Sequence, residues 1–207
     1  MAIQNGLTRE AVLPYVAPGQ VVVGIDEVGR GAWAGPLLMA AVVLGPAVPP
    51  GITDSKLLSA ARRTVLARAV KQVAGGIGFG WVPAAELDSV GLAAALRLAA
   101  RRALERLGCS YDLIIIDGTI NFLPGEPVVT LAKADLRIPE VGAASIVAKV
   151  ARDAYMTRLA RADPRYGFER HVGYGTALHA RQLALRGPSI HHRHSFRPIM
   201  ELAHVDG

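Results

Sequence analysis

At 207 residues with 51% hydrophobic side chains, the chain is long enough to bury a substantial core and fits one ordinary domain. Its 23 Lys and Arg against 17 Asp and Glu leave a formal charge of +6 and a pI near 9.9, which favours a polyanionic partner without separating nucleic acid from a membrane surface. The lone Cys109 excludes a disulfide framework and a cysteine zinc cage, no apolar run is long enough to span a bilayer, and the first twenty residues lack the layout of a secretory signal, so a reduced, cytoplasmic setting is expected.

Gln20 to Glu27 runs apolar and β-branched until two acids appear, which predicts a buried strand ending at a polar edge. After the glycine-rich bend Gly29 to Pro36, a second strand is predicted over Leu37 to Leu44, followed by a turn from Pro46 to Gly51. Ser59 to Val73 carries apolar residues at helical spacing, and Ile77 to Trp81 reads as a short third strand that completes an antiparallel meander. Leu92 to Leu107 is built from the strong helix formers Ala, Leu and Arg, and Gly108 is placed to stop it. The arginines of these helices, among them Arg62, Arg63, Arg97, Arg101, Arg102 and Arg106, read as solvated faces, and Cys109 as a small buried hydrophobe.

Asp112 to Asp117 repeats the opening device, an apolar run ending in an acid and a glycine, and Val128 to Leu131 is predicted as a fifth strand. A long helix over Ala143 to Ala162 ends before Pro164, and another from Thr176 to Leu185 ends at Gly187-Pro188. The plan is α/β: a mixed five-stranded sheet flanked by helices over about residues 20–165, then a helical C-terminal portion over about 166–207, all one domain.

Two strands that run apolar and end in acid suggest a site, because ligands of open sheets collect beyond the carboxyl ends of adjacent parallel strands. Asp26 and Asp117 would be neighbours, with Glu27 and Asp135 close by. Such a cluster repels itself unless a cation neutralises it, and hard oxygen donors point to Mg²⁺ or Mn²⁺. Taken alone, a strand ending in Asp-Glu or Asp-Gly reads equally well as the start of a turn.

The flanking sequence has more specific content. Gly24-Ile25-Asp26-Glu27-Val28-Gly29-Arg30-Gly31 resembles the DEVGRG signature of the type 2 ribonuclease H family. Thr53-Asp54-Ser55-Lys56 resembles its TDSK segment, Asp117-Gly118 its DG, and Lys133-Ala134-Asp135 its KAD or KGD element. Ala143 to Asp153 resembles the AASIxAKVxRD helix, Tyr166-Gly167 and Gly173 to Thr176 the later YG and GYGT, and His192 to Phe196 the HRxSF block. The blocks keep the family's order from about Val21 to Pro198. Thr119 and Gly142 depart from the common Asn after DG and Ser before AAS, and neither is a proposed ligand.

The resemblance implies the ribonuclease H fold and metal ligands Asp26, Glu27, Asp117 and Asp135, holding two Mn²⁺ or Mg²⁺ ions with Asp26 bridging them. It implies an endoribonuclease acting on RNA/DNA hybrids and on DNA duplexes that contain ribonucleotides, leaving 5′-phosphate and 3′-hydroxyl ends. Gly29, Arg30 and Gly31 would bring main-chain groups close to a 2′-hydroxyl, with Tyr174 supplying a hydroxyl and a ring, although a Tyr between glycines is otherwise an ordinary turn aromatic. Lys56, Lys133, Ser145, Lys149 and Arg30 would meet phosphates, which position a duplex without reading its sequence. Ser145 and Lys149 share a helix face.

Asp153 reads as a structural partner for a nearby arginine. His191, His192 and His194, lacking a second cysteine, read as structural or basic rather than as a zinc site. Trp33 and Trp81 read as packing groups. A type 3 ribonuclease H would be expected to carry a separate N-terminal domain, whereas only about twenty-five residues precede Asp26. A binding module that kept the fold without activity is disfavoured by the intact acids. The protein is expected to act as a monomer without membrane contact.

Overall fold

The computed structural model describes residue 7 and residues 14–203. The opening apolar run forms β1 (Val22–Val28), which pairs antiparallel with β2 (Leu37–Leu44) and parallel with β4 (Leu113–Asp117). β3 (Ala74–Val82) adds antiparallel to β2, and β5 (Val128–Leu131) adds parallel to β4, giving the order β3-β2-β1-β4-β5. The first three strands form the expected meander. The parallel register sets Ile25 beside Ile116, so the next residues, Asp26 and Asp117, emerge together at the carboxyl edge.

Period-two alternation explains why β2 is apolar throughout: both of its faces are covered. Leu37, Met39, Ala41 and Val43 face α3 (Leu92–Glu105), while Leu38, Ala40, Val42 and Leu44 face α1 (Ala60–Val73) and α4 (Pro139–Ala162). α3 comes unusually close to the sheet through an alanine stripe, Ala95, Ala99 and Ala103, all fully buried. Opposite them lie Gly78 and Gly80, where an added Cβ would strike the carbonyl oxygens of Ala103 and Ala99. Gly80→Ala is therefore expected to cost about 3 kcal/mol, roughly 6 to 12 °C in Tm. Gly75→Ala, whose Cβ would meet nothing nearer than a Val43 side chain at 3.7 Å, should leave the melt unchanged.

Several boundaries move. β3 begins directly after α1, three residues earlier than the alternation suggests, because Gly75 and Gly76 carry little patterning. α4 starts at Pro139 rather than Ala143, with proline in the first turn, where its missing N–H costs nothing. The short α2 (Ala84–Val90) was not anticipated, since seven residues give too few periods to read. The C-terminal portion is less helical than expected. α5 (Phe168–His171), α6 (Ala177–Arg186) and α7 (Arg197–Ala203) are short, and the irregular stretch between α6 and α7 forms a bridge between Ala34 and His192. Trp33 packs over Gly175, and the rings of Trp81 and Tyr155 lie 5.6 Å apart, so both tryptophans are packing groups. Cys109 is only half-buried and packs at the edge of the α3 face. Among the described residues no helix is long and apolar enough to cross a membrane.

Candidate active site

Asp26 ends the buried part of β1, with 8% of its surface exposed. One carboxylate oxygen accepts the Glu27 N–H at 2.8 Å. Burial pushes the Asp26 carboxyl up to about 8; a Ser145 hydrogen bond opposes the shift, and the charges of Glu27, Asp117 and Asp135 add to it. Glu27 is also raised by burial, against the pull of Arg30, whose guanidinium stands 3.7 Å away. Asp135 is raised to about 6 by burial, then by Asp117 and Asp54, with Lys56 opposing. Asp117 accepts the Ala134 N–H at 2.7 Å. That bond depends on Lys133, whose left-handed backbone (φ 57°) turns the chain after β5.

The four predicted acids thus share one edge of the sheet and feel one another's charge. Lys56 loses to burial but gains more from Asp54, Asp26, Asp135 and Asp117, which hold its ammonium above the usual range. Among the described residues no three acidic, histidine or cysteine groups close into a ligand cage by themselves. Like charges keep apart until a cation comes between them. The donor set, all carboxylate and facing a basic rim, fits a hard divalent ion.

A cavity of about 370 Å³ opens beside Asp26 and Glu27. Gly29, Arg30 and Gly31 line it from the loop after β1, Lys56 from the turn before α1, Ser145 and Lys149 from α4, and Tyr174 from the segment before α6. Ser145 Oγ and Ser55 Oγ share a hydrogen bond at 3.0 Å, and Gly29 N–H donates to the Tyr174 hydroxyl at 3.2 Å. Lys149 is not a free cation: its Nζ lies 2.9 Å from Asp153, which also faces Arg63 at 3.9 Å. Asp117 faces a neighbouring cavity of about 430 Å³, shared with Glu27 and Arg30 and walled by Leu92, Leu96, Ile120 and Phe122. The Lys133 side chain is exposed and lines neither cavity, so the structure does not bring it to the others.

The sequence reading passed over the groups that hold the glycine loop. Arg152 and Arg193 are both fully buried. Arg152 donates to the carbonyls of Pro36, Ala34 and Val172 at 2.9, 3.1 and 2.7 Å. Arg193 donates to Gly35 O at 3.1 and 3.0 Å and to Arg30 O at 2.9 Å. Burial lowers both guanidinium pKa values, Arg193 to about 9. Each arginine sits inside a motif already noted, Arg152 in the block Ala143 to Asp153 and Arg193 in the block His192 to Phe196, and those motifs were the only signal. Gly29, at φ +84°, must be glycine twice over, for its backbone and because a Cβ would enter the Arg152 guanidinium.

His179 and His192 are buried packing groups. His192 Nε2 and His179 Nε2 are 3.0 Å apart, and His179 Nδ1 reaches the Tyr174 carbonyl at 3.0 Å. Burial lowers His179 to about 4 and His192 to about 3, so both rings are neutral near pH 7.

The family model described as ribonuclease HII matches residues 23–199. A ribonuclease HII from Chloroflexus aggregans is 47% identical over 191 residues, covering 88% of this chain and 89% of the relative. One from Thermus thermophilus is 46% identical over 191 residues, covering 91% and 92%. Among solved structures, the ribonuclease H2 of Pyrococcus horikoshii OT3 superposes with a TM-score of 0.74 at 22% identity, over 89% of this chain and 98% of that one. A ribonuclease HIII described as Bst, in complex with Mn²⁺, gives 0.70 at 22%, over 90% and 70%. These two likenesses carry the fold alone.

Proposed function

Since the chain belongs to the ribonuclease HII family, and is thus an endonuclease that hydrolyses phosphodiester bonds, we propose that it acts on both forms of RNA joined to DNA. It cuts the RNA strand of RNA/DNA hybrids, and it cuts on the 5′ side of single ribonucleotides in DNA duplexes, leaving 5′-phosphate and 3′-hydroxyl ends. Its tasks are then removal of ribonucleotides from DNA and of RNA primers, in the cytoplasm and as a monomer. One observation supports this reading above the others: Asp26 and Glu27, at the end of β1 and beside Asp117 at the end of β4, line the same cavity as Gly29, Gly31 and Tyr174.

Asp26, Glu27, Asp117 and Asp135 would hold two Mn²⁺ or Mg²⁺ ions, which when bound supply an activated water and neutralise charge on the phosphate and the leaving oxygen. The chain itself does the selecting. A ribonucleotide differs by a 2′-hydroxyl that both donates and accepts. The Tyr174 hydroxyl already accepts from Gly29 N–H, which leaves its own proton for the sugar. Lys56, with its ammonium kept charged beside the acids, takes a phosphate. Ser145 steadies Asp26, and Arg30 offsets Glu27. Lys149 and Lys133 are weaker choices for phosphate, the first being paired with Asp153 and the second standing away from the cavity.

The test is cleavage of a DNA duplex with one ribonucleotide, with Mg²⁺ or Mn²⁺, and mapping of both product ends. A single cut 5′ to the ribonucleotide is expected. No cutting with either ion, or cutting of an all-DNA control, overturns the reading.

A further inference from the structure

Burying a cation without a carboxylate is expensive, and folds that need only stability fill such space with apolar groups. Here two arginines are buried to zero exposure, and among the described residues neither makes an ion pair within 4.0 Å. Their charge is met by carbonyl oxygens and by rings: Arg152 lies 5.6 Å from the Tyr174 ring centre and Arg193 5.1 Å from that of Phe196. The carbonyls belong largely to one stretch, Arg30 to Pro36. The arrangement fixes that stretch.

The consequence lies in the peptide joining Arg30 to Gly31. Its carbonyl is held inward by Arg193 Nη1 at 2.9 Å. A trans peptide is planar, with C=O and N–H pointing opposite ways. Holding the oxygen inward therefore turns the Gly31 N–H outward. Gly31 lines the cavity, is exposed, and its N–H has no acceptor among the described residues.

We propose that Arg193, with Arg152 bracing the far side of the loop, is a positioning residue for ribose recognition, presenting the Gly31 amide to the 2′-hydroxyl. The assignment rests on the reading that this loop senses the sugar. Arg193 touches neither the acids nor the cavity, so it acts through the backbone it grips. Lysine cannot replace it, because one ammonium lacks the planar fork that spans Gly35 O and Arg30 O together.

The experiment measures binding, with chelator present to stop cutting, to two duplexes that differ only in one 2′-hydroxyl, for the wild type and for Arg193→Lys. Wild type is expected to favour the ribonucleotide duplex. In Arg193→Lys that preference should fall about tenfold while affinity for the all-DNA duplex holds. Equal preference in the variant, or equal weakening on both duplexes, overturns the assignment. If wild type shows no preference, the reading of the loop itself fails, which is a different result. Hydrogen exchange of the Gly31 amide in the wild type gives a check that needs no variant. The amide should be slowed by the ribonucleotide duplex and not by its all-DNA twin, and identical exchange with both overturns the proposal.

Discussion

Asp26→Asn is expected to lower cutting by on the order of 10³-fold, equivalent to several kcal/mol of lost charge stabilisation in the transition state, while duplex binding survives. The same change should make the metal-free protein more stable. The Asp26 carboxyl is raised from 3.8 to about 8, so between those values the folded state holds a proton that the unfolded state has released. Stability from this group is full below pH 3.8 and is lost as pH rises toward 8. Asparagine carries no such penalty. Thermal melts in chelator should therefore show the variant gaining on the wild type with increasing pH. Adding Mg²⁺ or Mn²⁺ should stabilise the wild type and do little for the variant. Undiminished cutting by Asp26→Asn would remove this residue from the site, and a parallel pH dependence would show that its charge is not the strained one.

Tyr174→Ala is expected to hit substrates with a single ribonucleotide hardest, by roughly 10- to 100-fold in kcat/KM, the worth of one buried hydrogen bond with the packing of a ring. Long hybrids should lose only a few-fold, since neighbouring ribonucleotides offer other registers. Tyr174→Phe separates the two contributions. It keeps the ring over Arg152 and removes the hydroxyl that accepts from Gly29 N–H. Its loss should fall between those of wild type and alanine. Equal losses on both substrates would show that Tyr174 shapes the loop without sensing the sugar.

Much of the sheet was legible because strands covered on both faces read as continuous apolar runs in a single sequence. β1 and β4 each ran apolar into an acid, and that alone paired Asp26 with Asp117. The limits have equally physical causes. Lys133 stood in a motif that suggested a phosphate contact, yet its role in this geometry is a backbone one, the left-handed turn that carries Ala134 N–H to Asp117. Lys149 shares its helix face with Asp153 four residues on, and the sequence reading that gave Asp153 to an arginine passed over this nearer pairing, which takes the lysine's charge. Arg152 and Arg193 were visible as letters and invisible as neighbours. Their partners lie 116 and 158 residues away and are main-chain oxygens, which carry no residue identity.

The mooring of the glycine loop also orders events in time. Trp33 and Ala34 donate to Gly173 O, Gly35 donates to His191 O, and Arg193 N–H returns to Trp33 O. A ribosome delivers these partners last. The sheet, its acids and the grip of Arg152 on Ala34 and Pro36 can form while residues 171–193 are still being made, but the moorings to Gly173, His191 and Arg193 wait until those residues emerge. A nascent chain therefore passes through an interval in which the acids are in place and Arg30 to Gly35 still lack their C-terminal moorings. Contacts spanning so much of the chain close slowly, so on refolding, sheet signals should recover ahead of selective cleavage.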